Sequence, residues 1–143
     1  MTQDAKLLLT ASSTVTGGRS GEAHIGRDRL HVKLRPGRTR QEGTDPEELF
    51  AAGYASCFLS ALNEVADARG LKLEPPQAKG LVSLHMGSQK DFFLSVVLQV
   101  YVPGVDQATA QDLVNAAHAV CPYSRAVQGN VDVRLEVLDA PVE

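Results

Sequence analysis

The amino-acid sequence predicts an α+β fold in which one long helix separates two groups of β-strands. With 143 residues, the chain has the size of one ordinary domain. Apolar and polar residues alternate in segments on both sides of the middle, which is the period-two pattern of half-buried strands. Between these segments lies an apolar stretch with a clear helix start and a clear helix end. We therefore expect one domain, residues 1–143, with the element order βββ, long helix, ββ, helix, β.

The first third of the chain predicts a hairpin and a third strand. Residues 7–16 are rich in apolar and β-branched side chains, and the glycines at 17 and 18 mark a turn. Glu22–Ile25 begins the return strand of this hairpin. Residues 30–34 alternate apolar with polar side chains, and a loop follows at residues 35–43.

The middle of the chain has the strongest helix signal. Asp45 is a suitable N-cap, Pro46 suits the first helical position, and Gly70 supplies the stop after residue 69. A helix of this length extends about 36 Å at 1.5 Å per residue. Residues 50–59 are apolar nearly all round, so we expect a central helix rather than a superficial one.

The remainder predicts two strands, a helix and a last strand. The strands cover residues 78–85 and 92–102, joined by a turn around residues 87 and 88. A second helix covers residues 106–119 with an apolar stripe, and a last strand covers residues 131–138.

Charge and hydropathy argue against a nucleic-acid or membrane partner. The net charge is −3, whereas a nucleic-acid binder carries a basic excess. Basic residues do crowd into positions 27–40, but no aromatic side chain is interleaved, so we interpret them as a solvated loop rim. No apolar run approaches the roughly 20 residues of a membrane span, and residues 1–6 lack the order of a signal peptide. We expect a cytoplasmic protein.

The two cysteines allow more than one interpretation from their local sequence. Cys57 falls in the middle of the long apolar helix, where a cysteine is ordinarily a small buried residue with a raised pKa. Cys121 precedes Pro122, where a new helical turn can begin and its backbone N–H groups would favour a thiolate. The pair is too far apart in the chain for a CxxC redox motif. Inert thiols and a redox pair therefore both remain open.

The four histidines do not predict a metal site. His24, His31, His85 and His118 show no pairwise helical spacing, so a zinc site would need scattered ligands to converge. We therefore expect no metal ion.

Three separated motifs carry a family resemblance. Residues 45–58, DPEELFAAGYASCF, resemble the first active-site motif of the organic hydroperoxide resistance proteins, within the OsmC-like superfamily. Residues 121–124, CPYS, with GNVDV at 129–133, resemble the second motif. Residues 16–19, TGGR, resemble the glycine-rich turn in which that family keeps an essential arginine. The resemblance spans almost the whole chain in one order.

The resemblance implies a thiol peroxidase that reduces organic hydroperoxides. It makes Cys57 the peroxidatic cysteine, Cys121 the resolving cysteine, and Arg19 and Glu47 the polar pair of the site. The implied fold has antiparallel sheets around the long helix, in an intertwined homodimer with two active sites at its interface. The chain would hold no cofactor, and a lipoylated protein would supply the reducing dithiol. Asp45 departs from the asparagine usual in the family, and residues 37–42 replace a loop that is usually glycine-rich.

This chemistry suggests roles for the polar pair. Burial disfavours a thiolate, so Cys57 needs a nearby cation, and the guanidinium of Arg19 can supply it. In one straight helix Glu47 and Cys57 would lie about 15 Å apart, so Glu47 is expected to orient Arg19 rather than touch the sulfur.

Aromatic side chains suggest a pocket for an alkyl tail, although at least two or three of them are expected to be core. The candidates are Phe50, Tyr54, Phe58, Phe92 and Phe93. Two other functions remain open: a non-catalytic stress protein that binds a small apolar ligand, and a structural domain with incidental cysteines.

Overall fold

The computed structural model describes residues 4–143, which form two compact units. We call residues up to Pro46 the N-terminal unit and Glu47–Glu143 the C-terminal unit. This division does not test the expectation of one domain, which stays a prediction.

The N-terminal unit contains a three-stranded antiparallel sheet in the order β1-β2-β3, formed by Ser13–Thr16, Glu22–Ile25 and Leu30–Lys33. A single 3-10 turn, Gly18–Ser20, joins β1 to β2. Gly21 ends this turn, and the position requires glycine because a β-carbon there would collide with the carbonyl group of Thr16. The sequence prediction is thus confirmed for β2 and β3.

The predicted first strand, residues 7–16, is wrong over residues 7–12. Only Ser13–Thr16 is a strand, because β2 has four residues and its register pairs Ser13 with Ile25 and Thr16 with Glu22. Residues 7–9 have strand-like composition but form no strand, and their leucine side chains are 76–83% exposed. Composition predicts the tendency to extend, whereas a strand needs a neighbour to pair with.

The long helix, α1, runs Pro46–Ala68 and begins at the predicted proline. It ends at Gly70, whose φ of 72° is the left-handed conformation of a helix C-terminus, and the Leu71 N–H bonds the Ala66 carbonyl at 2.9 Å. Its buried side chains form one stripe at helical spacing: Tyr54, Phe58, Ala61, Leu62 and Ala66. The helix is therefore buried along one face, not all round.

By length and composition α1 could cross a membrane, which corrects the expectation that no apolar run approaches that length. It is the one such helix among residues 4–143. The buried stripe accounts for part of this apolar composition, since 28% of the apolar window is buried within the protein.

The C-terminal unit holds a second sheet in the order β4-β5-β6, formed by Gln77–Met86, Phe92–Tyr101 and Asp132–Leu138. β4 and β5 form an antiparallel hairpin, as expected. β5 and β6 are parallel, because two helices cross over between them: α2, Gln107–Val120, and α3, Pro122–Val127. The α+β fold class and the central helix are confirmed, whereas the expectation of antiparallel sheets is wrong for β6, which pairs parallel to β5.

The core of the C-terminal unit lies between its sheet and its helices. Alternate residues of β5, Val96, Leu98 and Val100, are buried beside the stripe of α1 and the apolar face of α2. Gly80 of β4 allows α1 to approach closely, because a β-carbon there would lie 2.9 Å from the Ala51 carbonyl oxygen. This packing fixes α1, which contains Cys57, and α2, which ends at Cys121.

Candidate active site

The C-terminal unit brings the two cysteines together. Cys57 lies in the middle of α1, and Cys121 lies at the junction of α2 and α3, 64 positions later in the chain. Both are free thiols, and their sulfurs are 3.8 Å apart. Cys121 is fully buried, whereas Cys57 is partly exposed. The pair is a reduced dithiol in van der Waals contact.

The junction that positions Cys121 follows from its sequence. The residue before a proline is restricted to extended conformations, and Cys121 has φ −65° and ψ 123°. Its N–H still bonds the Ala117 carbonyl at 2.8 Å and so ends α2, while Pro122 takes the first position of α3. The chain therefore changes direction at the cysteine, with its sulfur held in the core.

The pKa of the Cys57 thiol is raised, chiefly because burial disfavours the charged form. A hydrogen bond from the Tyr123 backbone N–H opposes this effect, since it stabilises a thiolate, while the Cys121 thiol adds to the rise. The sequence predicted that N–H groups after Pro122 would favour a thiolate at Cys121. Instead, the N–H of Tyr123 is directed at Cys57, because Cys121 itself caps the new helix and Cys57 faces its first turn.

A buried chain of polar side chains adjoins the thiols. The hydroxyl groups of Tyr54 and Ser124 are 2.8 Å apart, and the Ser124 hydroxyl lies 2.8 Å from His118 Nδ1. Tyr54 is fully buried and Ser124 nearly so. Burial raises the pKa of Tyr54, and the neighbouring Cys121 and Cys57 raise it further, so the phenol keeps its proton at neutral pH. Sequence analysis missed Ser124 and His118 as members of the site, although Ser124 belongs to the CPYS motif.

An aromatic cluster adjoins this polar chain, because Tyr54 belongs to both. Phe50, Tyr54 and Tyr123 form one cluster, with ring centroids 5.9 to 6.3 Å apart. A β-carbon on Gly53 would touch the Tyr123 ring at 3.4 Å, so the glycine leaves room for that ring against α1. Tyr123, which is 40% exposed, is a further residue that sequence analysis did not select.

The five predicted pocket residues separate into three groups. Phe50 packs at the edge of the core, next to Tyr54, whereas Tyr54 and Phe58 are fully buried core residues. Phe92 and Phe93 lie at the start of β5 and are 67% and 50% exposed. The ring of Phe93 stacks on His85, with centroids 4.9 Å apart. Their role as substrate contacts stays a prediction.

The predicted polar pair lies on two different elements. Arg19 sits on the 3-10 turn of the N-terminal unit, and Glu47 lies in the first turn of α1. Glu47 precedes Cys57 by ten residues in one uninterrupted helix, a rise of about 15 Å. A direct contact between Glu47 and Cys57 of the same chain is therefore excluded, as the helix geometry predicted.

One residue of the basic segment has a structural role within the N-terminal unit. The Arg35 guanidinium donates hydrogen bonds to the backbone carbonyls of Ser20 and Gly21, both at 3.0 Å, and to that of Leu34 at 2.6 Å. These hydrogen bonds hold the chain at the end of β3 against the end of the 3-10 turn that carries Arg19. The interpretation of this segment as a solvated rim is wrong for Arg35.

Comparisons with known proteins agree with this geometry. A family model described as OsmC-like protein matches residues 36–136. The chain is 44% identical to an organic hydroperoxide resistance protein of Xanthomonas axonopodis pv. citri, over 94% of this chain and 98% of that protein. It is 43% identical to the organic hydroperoxide resistance protein OhrB of Bacillus subtilis, over 91% and 98%. The crystal structure of that OhrB superposes with a TM-score of 0.87 at 42% identity, covering 92% of this chain and 100% of the other.

Proposed function

This chain belongs to the OsmC-like family and, within it, to the organic hydroperoxide resistance proteins, and we propose that it is a thiol peroxidase that reduces organic hydroperoxides. The observation that carries the proposal is the pair of free thiols, Cys57 and Cys121, 3.8 Å apart with one partly exposed and one buried.

The proposed reaction has two steps on the protein. The Cys57 thiolate attacks the peroxide, the O–O bond breaks, and the alkoxide takes up a proton and leaves as an alcohol. Cys57 is left as a sulfenic acid. The Cys121 thiol then displaces the hydroxyl group as water and forms a disulfide with Cys57. An external dithiol reopens that bond and restores both thiols.

Exposure supports this order of events. A peroxide can reach the partly exposed Cys57 directly, whereas Cys121 is fully buried in the core, with its sulfur 3.8 Å from that of Cys57. A disulfide has an S–S distance of about 2.05 Å, so the sulfurs must approach by about 1.8 Å. Closing a gap of this size requires side-chain movement rather than refolding.

Activation of Cys57 requires help, because burial raises the pKa of its thiol. The Tyr123 N–H supplies one hydrogen bond to the sulfur. We assign the further positive charge to Arg19, whose guanidinium would stabilise both the thiolate and the departing alkoxide. Glu47 would act as a positioning residue that orients Arg19.

The aromatic cluster supports an organic substrate. Phe50 and Tyr123 keep part of their apolar surface exposed near Cys57, and a hydroperoxide with an alkyl tail gains from burying that tail there. Hydrogen peroxide has no tail to bury. We therefore expect a preference for organic hydroperoxides.

A second copy of the chain is the proposed partner, in a homodimer. Both units expose large apolar side chains that a second copy can cover, namely Leu7, Leu8, Leu9, Leu84, Met86, Phe92 and Phe93. The exposed face of α1 carries small side chains, such as Ala52 and Ser56, that allow close packing. Sedimentation equilibrium at micromolar concentration should give the mass of two chains, and a stable monomer would contradict the proposal.

The reductant and the compartment complete the proposal. We expect no cofactor on the chain and a lipoylated protein as the dithiol donor. A cytoplasmic location suits this cycle, because that compartment keeps thiols reduced and lets the disulfide remain transient.

Turnover with two peroxides and two reductants tests the function. Consumption of cumene hydroperoxide with dihydrolipoamide should exceed consumption of hydrogen peroxide, and thioredoxin should be the poorer reductant. Cys57→Ser should abolish turnover, while Cys121→Ser should leave a sulfenic or over-oxidised Cys57 by mass spectrometry. Ser60→Ala, an exposed change on the same helix, is the matched control and should leave turnover unchanged. Wild-type activity in Cys57→Ser would refute the peroxidase, and no turnover by wild type would favour a non-catalytic binding protein.

A further inference from the structure

The β2–β3 hairpin of the N-terminal unit gathers a carboxylate and two imidazoles on one face. The strand register places His24 directly opposite His31, and Glu22 lies two residues before His24 on the same face. The two rings stack with centroids 4.1 Å apart and planes inclined by 15°. One ligand atom from each of these three residues lies within 4.8 Å of the other two.

The Glu22 carboxylate faces both imidazoles. Its Oε2 lies 3.1 Å from His31 Nε2, and its Oε1 lies 3.9 Å from His24 Nε2. His31 Nε2 donates its proton to this carboxylate in the metal-free protein, and a bound metal ion would take the place of that proton. The three potential ligand atoms lie on one side of the sheet, and their side chains are about half exposed, so water can complete a coordination sphere.

A second carboxylate orients one of the imidazoles. Asp28 Oδ1 lies 3.0 Å from His24 Nδ1, so Nδ1 carries the proton and Nε2 keeps its lone pair toward Glu22. Asp28 is held there by the tight turn between the strands, in which Gly26, Arg27 and Asp28 all have positive φ. A carboxylate behind a histidine is the usual second layer of a protein metal site.

We propose that Glu22, His24 and His31 form a surface site for a divalent first-row transition metal, of which Zn²⁺ is the natural probe. Two imidazole nitrogens and one carboxylate are a common ligand set for zinc with an open position. Mg²⁺ and Ca²⁺ prefer oxygen ligands and should not compete. Lys33 lies opposite Glu22 on the same strand pair and should weaken the site, because its positive charge repels the ion.

The proposed site departs from the sequence-based expectation of no metal. His24 and His31 are seven positions apart, which matches no helical metal motif, and only strand pairing makes them neighbours. None of the three ligands takes part in the proposed peroxidase chemistry, so the two proposals can succeed or fail separately.

Calorimetric titration with Zn²⁺ tests the site. The parent protein for this titration is the untagged Cys57→Ser/Cys121→Ser variant, because it lacks the two thiols that would compete as zinc ligands. It should bind one Zn²⁺ per chain, and His24→Ala and His31→Ala should each weaken binding by more than about tenfold. Asp28→Asn should weaken it by about tenfold, because the ligand imidazole loses its orienting partner. His85→Ala, which changes an exposed histidine of another sheet, is the matched control and should leave the Kd unchanged.

NMR spectra of the histidine ring ¹⁵N nuclei test the same site independently. Signals of His24 and His31 should move on addition of Zn²⁺, while those of His85 and His118 should not. The proposal is overturned if the Kd is weaker than about 1 mM, if both ligand variants bind as the parent does, or if Mg²⁺ binds equally well. Far-UV circular dichroism of each variant confirms that the fold is kept.

Discussion

Removal of the Ser124 hydroxyl should cost this protein about 2 kcal/mol of unfolding free energy. Ser124→Ala takes away the partner of the Tyr54 hydroxyl, which is fully buried and has no access to water. An orphaned buried polar group costs about 1–3 kcal/mol. His118 also loses its partner, but it is only partly buried and can bond water instead. Among residues 4–143 every buried side-chain nitrogen or oxygen has a partner, so this would be a new defect.

Urea unfolding of the reduced protein measures the loss. For an m-value of about 2 kcal/mol per molar urea, the midpoint should fall by about 1 M at a fixed protein concentration. Tyr54→Phe should cost less, about 1 kcal/mol, because Ser124 keeps its contact with His118. The double variant should lose less than the sum of the two, because removing both partners leaves no orphan.

Ser56→Ala is the matched control for this prediction. Ser56 donates to the Gly53 carbonyl within its own helix, and alanine keeps that face of α1 small for the proposed close packing, so the loss should stay within about 0.5 kcal/mol. If Ser124→Ala unfolds at the same urea concentration as Ser56→Ala, or if the double variant is additive, the Ser124 hydroxyl is not needed as the partner of the buried Tyr54 hydroxyl.

Three further predictions concern the chemistry and the packing. In Arg19→Ala, which removes the proposed cation, alkylation of Cys57, followed by mass spectrometry, should keep accelerating above pH 8.5, about the usual pKa of a free thiol, because burial then leaves the thiol pKa raised; a plateau below that pH in this variant contradicts this. Gly80→Ala should lower the free energy of unfolding by about 1–3 kcal/mol, measured by thermal unfolding, because the added β-carbon would press on the backbone of α1. Ser83→Ala, an exposed change on the same strand, is the control and should change the free energy of unfolding little. Glu47→Gln should slow peroxide reduction less than Arg19→Ala, with non-additive losses in the double variant; a larger effect of Glu47→Gln would mean that Glu47 contacts the reacting atoms.

Local signals predicted most elements of the fold. Pro46 and Gly70 bracket α1 as expected, because capping and chain reversal depend on a few neighbouring residues. The turn glycines at positions 17 and 18 likewise predicted that the return strand begins with Glu22–Ile25, the residues that form β2. Residues 7–12 were misassigned because pairing, not composition, decides whether an extended segment becomes a strand. The parallel pairing of β5 with β6 likewise depends on the path of the helices between them.

The sequence by itself identified the family and the two cysteines of the site, because the short motifs around Cys57 and Cys121 resemble those of the family and occur in the same order. Only the tertiary structure decided which groups meet. It turned the Tyr123 N–H toward Cys57, joined Tyr54 to His118 through Ser124, and set His24 against His31. Periodicity and capping act over one or two turns of chain, whereas these contacts follow from helix packing and strand register between distant segments.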